Sequence, residues 1–125
     1  MTNLEWNDIY SIDNDEIDKQ HKILFSIFNM LVVCVGNAQF NNSVIDELIS
    51  YTHYHFYTEE QYMIIVSYID VDRHIEEHKY FVRRIEELRQ SNVNTEQYLG
   101  LISFLSDWLL NHIMIEDKKI THITQ

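Results

Sequence analysis

The chain has 125 residues, no proline, two glycines and 46% hydrophobic residues. It is long enough for one domain with a moderate core, too apolar for a disordered segment, and so poor in breakers that an all-α fold is favoured. Its formal net charge of −11 leaves no basic stripe to neutralise nucleic-acid phosphates or to meet an anionic membrane, so neither is expected as a partner.

Residues 1–12 read as an irregular arm whose Trp6, Tyr10 and Ile12 can pack across a bundle. Asp13 or Asn14 can cap a first helix, about 14–36, with Asp15, Glu16 and Asp18 suiting its N-terminal dipole. Its apolar stripe is Ile17, Leu24, Phe28, Leu31 and Val35, with His21 inside it, and Gly36-Asn37 is a stop signal. A second helix, about 43–67, opens on Ser43-x-x-Asp46, which resembles a capping box. Its inner stripe reads Ile45, Leu48, Thr52, His55, Glu59, Tyr62 and Val66. Asp70 or Asp72 opens a third helix, about 71–90, with Val71, His74, His78, Phe81, Ile85 and Leu88 on one seam. A polar loop over 91–95 leads to a fourth helix, about 95–119, with Tyr98, Leu101, Leu105, Trp108 and His112 inward. Four such helices with short connections predict an all-α, up-down-up-down antiparallel four-helix bundle with an irregular N-terminal arm, residues 1–125 forming a single domain.

The stripes are apolar except where they carry ligand-type residues. His55 and Glu59 are four apart, as are His74 and His78, so each pair shares one helix face. Any one of these histidines could be a core residue with a local hydrogen bond. All four helices placing such groups inward is harder to explain so, and a buried, unpaired Glu59 is costly unless a cation meets it. A shared metal site satisfies the groups together. No CxxC or HExxH occurs, and the ligand set is too large for one tetrahedral zinc. Two six-coordinate ions need about twelve positions; five imidazoles, two bridging carboxylates and a bridging oxo or hydroxo fill about eleven, leaving one open for a small exogenous ligand. The last carboxylate is ambiguous. Five residues along an ideal helix turn through about 500°, which favours Glu116 over Asp117 on the face of His112. Asp117 requires the helix end to cross the mouth of the bundle or to depart from α geometry.

The segments D18-K-Q-H21-K-I-L-F25, H55-F-Y-T-E59-E-Q-Y-M63, H74-I-E-E-H78-K-Y-F81 and W108-L-L-N-H112-I-M-I-E-D117 resemble the hemerythrins, in particular the stand-alone bacterial type, over nearly the whole chain. The resemblance, not helix geometry, selects Asp117. It implies a non-haem diiron centre with one iron on His74, His78 and His112, the other on His21 and His55, Glu59 and Asp117 bridging, and a bridging oxo or hydroxo. It also implies reversible O2 binding at the open position of the two-histidine iron, with NO or a small anion as the alternative ligand. Phe56, Leu109, Ile113 and Met114 are then the residues for the pocket wall and Trp108 for packing beside the irons. His53 and His122 fall outside the motif and are expected not to bind metal.

The function implied is oxygen carriage, storage or sensing, without enzymatic turnover. The alternatives are a diiron oxidase or peroxidase on the same bundle, or a sensor of O2 or NO acting through a partner protein. Bundle oxidases of the ferritin type use Glu-x-x-His pairs, and this chain has none. Cys34, the only cysteine, allows no internal disulfide and fits a reducing compartment. Met1–Tyr10 has no signal-like apolar core, and the stretch Ile23–Val35 is too short to span a bilayer, so the expected location is cytoplasmic.

Overall fold

A computed structural model describes residues 3–37, 42–90 and 95–122, with side chains described as far as residue 120. The described residues contain four long helices and no strand: α1 (Asp15–Gly36), α2 (Ser43–Ile65), α3 (Val71–Gln90) and α4 (Thr95–Asn111). A π-helical turn, His112–Asp117, and a short α5 (Lys118–His122) continue α4. The polar loop expected at 91–95 lies outside the described residues except for Thr95, which opens α4. Each helix packs on its chain neighbour, and α4 closes the ring against α1. The expected up-down-up-down bundle is the one observed.

Each helix forms where its caps and stripe direct it. Asn14, rather than Asp13, caps α1: its Oδ1 accepts from Ile17 N at 3.0 Å. Ser43 is the first residue of α2 rather than its cap. Asn42 precedes α2 without a side-chain cap, and Asp46 instead turns out to Arg89, with Oδ1 2.6 Å from Nε. The arm is pinned as expected. The Leu4 amide donates to Asn29 Oδ1 at 2.8 Å and Asn29 Nδ2 returns to Leu4 O at 2.9 Å. Trp6 and Tyr10 pack on Phe25, and Ile12 is buried. Asp18, on α1, accepts from Ile12 N at 2.9 Å and from the Ser11 hydroxyl. The turn Asp8–Tyr10 thereby comes to lie against the π-helical turn.

α2 ends two residues earlier than its pattern suggests. Ser67 takes a left-handed φ of 56°, its amide bonds Ile64 O at 3.1 Å, and the Tyr68 amide bonds Met63 O at 2.9 Å. This is a Schellman stop with serine where glycine is usual, closed by packing of Tyr68 on Met63. The stop carries no glycine signal, so it is invisible to a composition-based reading. A left-handed φ costs a non-glycine residue about 1–2 kcal/mol, partly offset by the unfolded-state entropy of glycine. Ser67→Gly is therefore expected to stabilise the protein by about 0.5–1 kcal/mol, measurable as a higher urea midpoint at unchanged m-value.

Two apolar clusters flank the middle of the bundle. The larger contains Leu24, Phe28, Leu31, Ile45, Leu48, Phe81, Ile85, Leu101 and Leu105. The smaller contains Met63, Tyr68 and Ile120. Between them lie the buried polar residues. Glu96–Ile120 is long and apolar enough to cross a membrane by length and composition. In the bundle its Leu101, Leu105 and Leu109 enter the core and its His112 and Asp117 are buried, which is the pattern of a core helix.

Candidate metal centre

All seven expected ligand residues come together in one buried cluster. His21 projects from α1, His55 and Glu59 from α2, His74 and His78 from α3, and His112 and Asp117 from the π-helical turn; none is more than 5% exposed. The π turn resolves the ambiguity at the end of α4. Its hydrogen bonds run over five residues instead of four, so the fifth residue returns to the face of the first. Asp117 is fully buried beside His112. Glu116 points outward, with Oε2 3.1 Å from Arg73 Nη2 and Oε1 3.4 Å from Lys119 Nζ. The departure from α geometry, not a helix crossing the bundle mouth, is what turns Asp117 inward.

The donor atoms form two groups sharing Glu59 and Asp117: one with His74, His78 and His112, the other with His21 and His55. Each carboxylate divides its oxygens between them. Glu59 Oε1 lies 2.6 Å from His74 Nε2 and 3.0 Å from His78 Nε2, while Oε2 lies 3.3 Å from His55 Nε2 and 3.7 Å from His21 Nε2. Asp117 Oδ1 lies 3.1 Å from both His74 Nε2 and His112 Nε2, while Oδ2 lies 3.1 Å from His21 Nε2. With metal–ligand bonds of about 2.1 Å, the edge of an octahedron is about 3 Å, which is the range of most of these separations.

Several of these close atoms are not hydrogen-bonded. Both ring nitrogens of His21, both oxygens of Asp117, Glu59 Oε2 and His74 Nδ1 are buried without a partner in bonding geometry. Orphans of this kind cost about 1–3 kcal/mol each. His78 Nε2 and His112 Nε2 face each other at 3.1 Å. His78 Nδ1 donates to Glu60 Oε2 at 2.8 Å, which directs Nε2 into the cluster, 3.0 Å from Glu59 Oε1. The donor set fits a metal site.

The electrostatics agree. Burial opposes charge on His21 and His74, but Asp117 and Glu59 outweigh it and raise both to about 9. His112 is raised in the same way. Burial lowers His55, and Glu59 does not compensate. Burial would raise Glu59, yet the surrounding histidines hold it well below its usual range. Burial and the neighbouring Glu59 would raise Asp117, and His112 and His21 bring it down. The two buried carboxylates thus favour positive charge on the histidines beside them.

The aromatic expectations are placed differently from one another. Phe56 stacks on His78, with centroids 3.7 Å apart, and Trp108 stacks on His112 at 4.3 Å. Leu109 and Ile113 are buried. Met114 is 39% exposed, beside the buried Ile113 and Asp117 of the same π turn. His53 lies outside the cluster, with Nε2 3.8 Å from Glu86, and the side chain of His122 lies outside the described residues. Composition and stripe reading passed over Gln20, Glu60 and Glu77, which stand behind His55, His78 and His112. The available signal was their adjacency in sequence to His21, Glu59 and His78.

A helical bundle whose four walls converge on a buried histidine–carboxylate cluster defines a metal-binding helical bundle. The comparisons agree with that class. The family model described as the hemerythrin HHE cation binding domain matches residues 13–122. The bacteriohemerythrin of Stenotrophomonas maltophilia is 35% identical over 121 residues, covering 94% of this chain and 79% of that protein. The hemerythrin-like protein of Naegleria gruberi is 32% identical over 114 residues, covering 91% and 87%. A crystal structure of hemerythrin with a leucine-to-tyrosine substitution superposes with a TM-score of 0.79 at 29% identity, covering 94% of each chain. This chain belongs to the hemerythrin family.

Proposed function

We propose that the protein binds O2 reversibly at a non-haem diiron centre in the cytoplasm, for oxygen carriage, storage or sensing, without catalytic turnover. The observation that carries this reading is the division of the Glu59 and Asp117 oxygens between a three-histidine and a two-histidine group. His74, His78 and His112 would hold one iron and His21 and His55 the other, with both carboxylates and an oxo or hydroxo bridging. Bound iron would supply the electrons for O2 binding and a position for a small exogenous ligand.

The chain supplies position and dryness. Gln20 and Glu60 accept from the Nδ1 atoms of His55 and His78 and so keep each Nε2 free to ligate. The flanking apolar clusters keep bulk water from the centre and raise the cost of side reactions that need solvent or protons. Phe56, Leu109 and Ile113 are the buried apolar groups for the wall of the ligand pocket.

The test is optical. Iron-loaded, reduced protein should develop a visible charge-transfer band in air and lose it under vacuum, over repeated cycles. Rapid irreversible oxidation with consumption of added reductant would support an oxidase instead. His78→Ala should lower bound iron well below two per chain, and unchanged iron content would remove His78 from the ligand set.

A further inference from the structure

The imidazoles are held from behind by groups of unequal charge. On the three-histidine side, Glu60 Oε2 accepts from His78 Nδ1 at 2.8 Å. Glu77 Oε2 lies 3.4 Å from His112 Nδ1, and Glu77 Oε1 lies 3.2 Å from Arg73, whose guanidinium also pairs with Asp70 and Glu116. Among the described residues no lysine or arginine forms an ion pair with Glu60. On the two-histidine side, the acceptor behind His55 Nδ1 is the neutral amide of Gln20, at 2.8 Å. The orientation of that amide is set by its own donors: Nε2 bonds Glu16 Oε1 at 2.9 Å and Thr58 Oγ1 at 3.4 Å, which leaves Oε1 for the imidazole. Both acceptors fix the same tautomer, but only one brings a charge.

A hydrogen bond from a ligating imidazole to a carboxylate raises the basicity of the opposite nitrogen more than one to an amide, because a charged acceptor bonds about twice as strongly. We propose that Glu60 and Gln20 make the two metal positions unequal. The Glu60 charge makes the three-histidine position the stronger, so that it fills first and holds its metal more firmly in the oxidised state. Gln20 leaves the two-histidine position weaker and more electrophilic, where the vacancy for an exogenous ligand lies. Glu60 and Gln20 are positioning residues in this scheme, acting through His78 and His55. The inference rests on the two-metal reading above.

Three variants of the 125-residue chain separate charge from contact. Glu60→Gln keeps an acceptor oxygen and removes the charge, Glu60→Ala removes both, and Gln20→Glu adds a charge on the other side. Metal-free protein is titrated anaerobically with Co(II), and the midpoint potential of the iron-loaded form is measured alongside. For Glu60→Gln the expected result is two Co(II) still bound per chain, with the first step weakened about 10-fold or more, the second unchanged, and a more positive potential. Gln20→Glu should strengthen the second step, narrow the gap between the two, and move the potential negative. Glu60→Gln matching the parent in both first-step affinity and potential would overturn the charge bias while leaving the two-metal reading intact. So would loss of metal in Glu60→Ala alone, which would reduce Glu60 to a contact. Fewer than two Co(II) in the parent would overturn the two-metal reading and this inference with it.

Discussion

Asp117→Ala will abolish stable binding of two metals, and Glu116→Ala will leave it near the parent value, although the two residues are adjacent. Asp117 is fully buried with one oxygen 3.1 Å from His74 and His112 and the other 3.1 Å from His21. Its removal takes one ligand from each half of the cluster and the counter-charge from three histidines. In the metal-free chain, breaking a buried pair of this kind costs about 3–5 kcal/mol, so the variant should also unfold at lower denaturant. Glu116 pairs with Arg73, which is half exposed, and loss of a pair in that setting costs at most about 1 kcal/mol. Iron per chain and the urea midpoint check both arms. Retained iron in Asp117→Ala with loss in Glu116→Ala would mean that the π turn does not present the carboxylate used.

That comparison falls on the one part of the site where residue spacing pointed the wrong way. His55 and Glu59, like His74 and His78, were legible because four residues in an α-helix nearly complete a turn, and those helices are regular. His21 was legible because its stripe is otherwise apolar. The π turn was not, because its residues, His-Ile-Met-Ile-Glu-Asp, contain no glycine or proline to mark a break. Sequence resemblance selected Asp117, and the five-residue hydrogen-bond step supplies the physical reason. The same turn leaves Met114, which the resemblance assigned to the pocket wall, 39% exposed. The supporting shell was missed for a different reason. Gln20 is buried and Glu60 and Glu77 are partly exposed, but all three lie off the apolar stripes, so periodicity treats them as ordinary solvated residues. Only the fold shows that each stands behind an imidazole. The four-helix architecture was readable because patterning, caps and breakers agreed along most of the chain. The exceptions, the Ser43 cap and the Ser67 stop, are local hydrogen-bond choices worth about 1 kcal/mol, too small to alter the topology.

Metal removal will destabilise the protein strongly, and by more at pH 9 than at pH 6.5. At a free metal concentration a thousand times the dissociation constant, binding to the native state alone adds about 4 kcal/mol. For a domain of this size that is roughly 10–20 °C in melting temperature. The pH dependence follows from the metal-free cluster. His21 and His74 are raised to about 9, so the folded chain holds more protons than the unfolded one between about pH 6.5 and 9. Their contribution to metal-free stability is complete below the unfolded value and is lost as pH rises through about 9. His55 is lowered, so its contribution has the opposite sign: it is present above the unfolded value and lost as pH falls. Glu59 and Asp117 are depressed, and their contribution is lost only in acid. The metal-free protein should therefore be most stable at mildly acidic pH and weaken towards pH 9. In the metal-loaded protein the same imidazoles are neutral ligands, so this decline disappears. Thermal melts of loaded and chelated protein at pH 6.5, 8 and 9 test the difference. A gap between the two forms that stays constant across that range would show that metals and protons do not compete for these histidines.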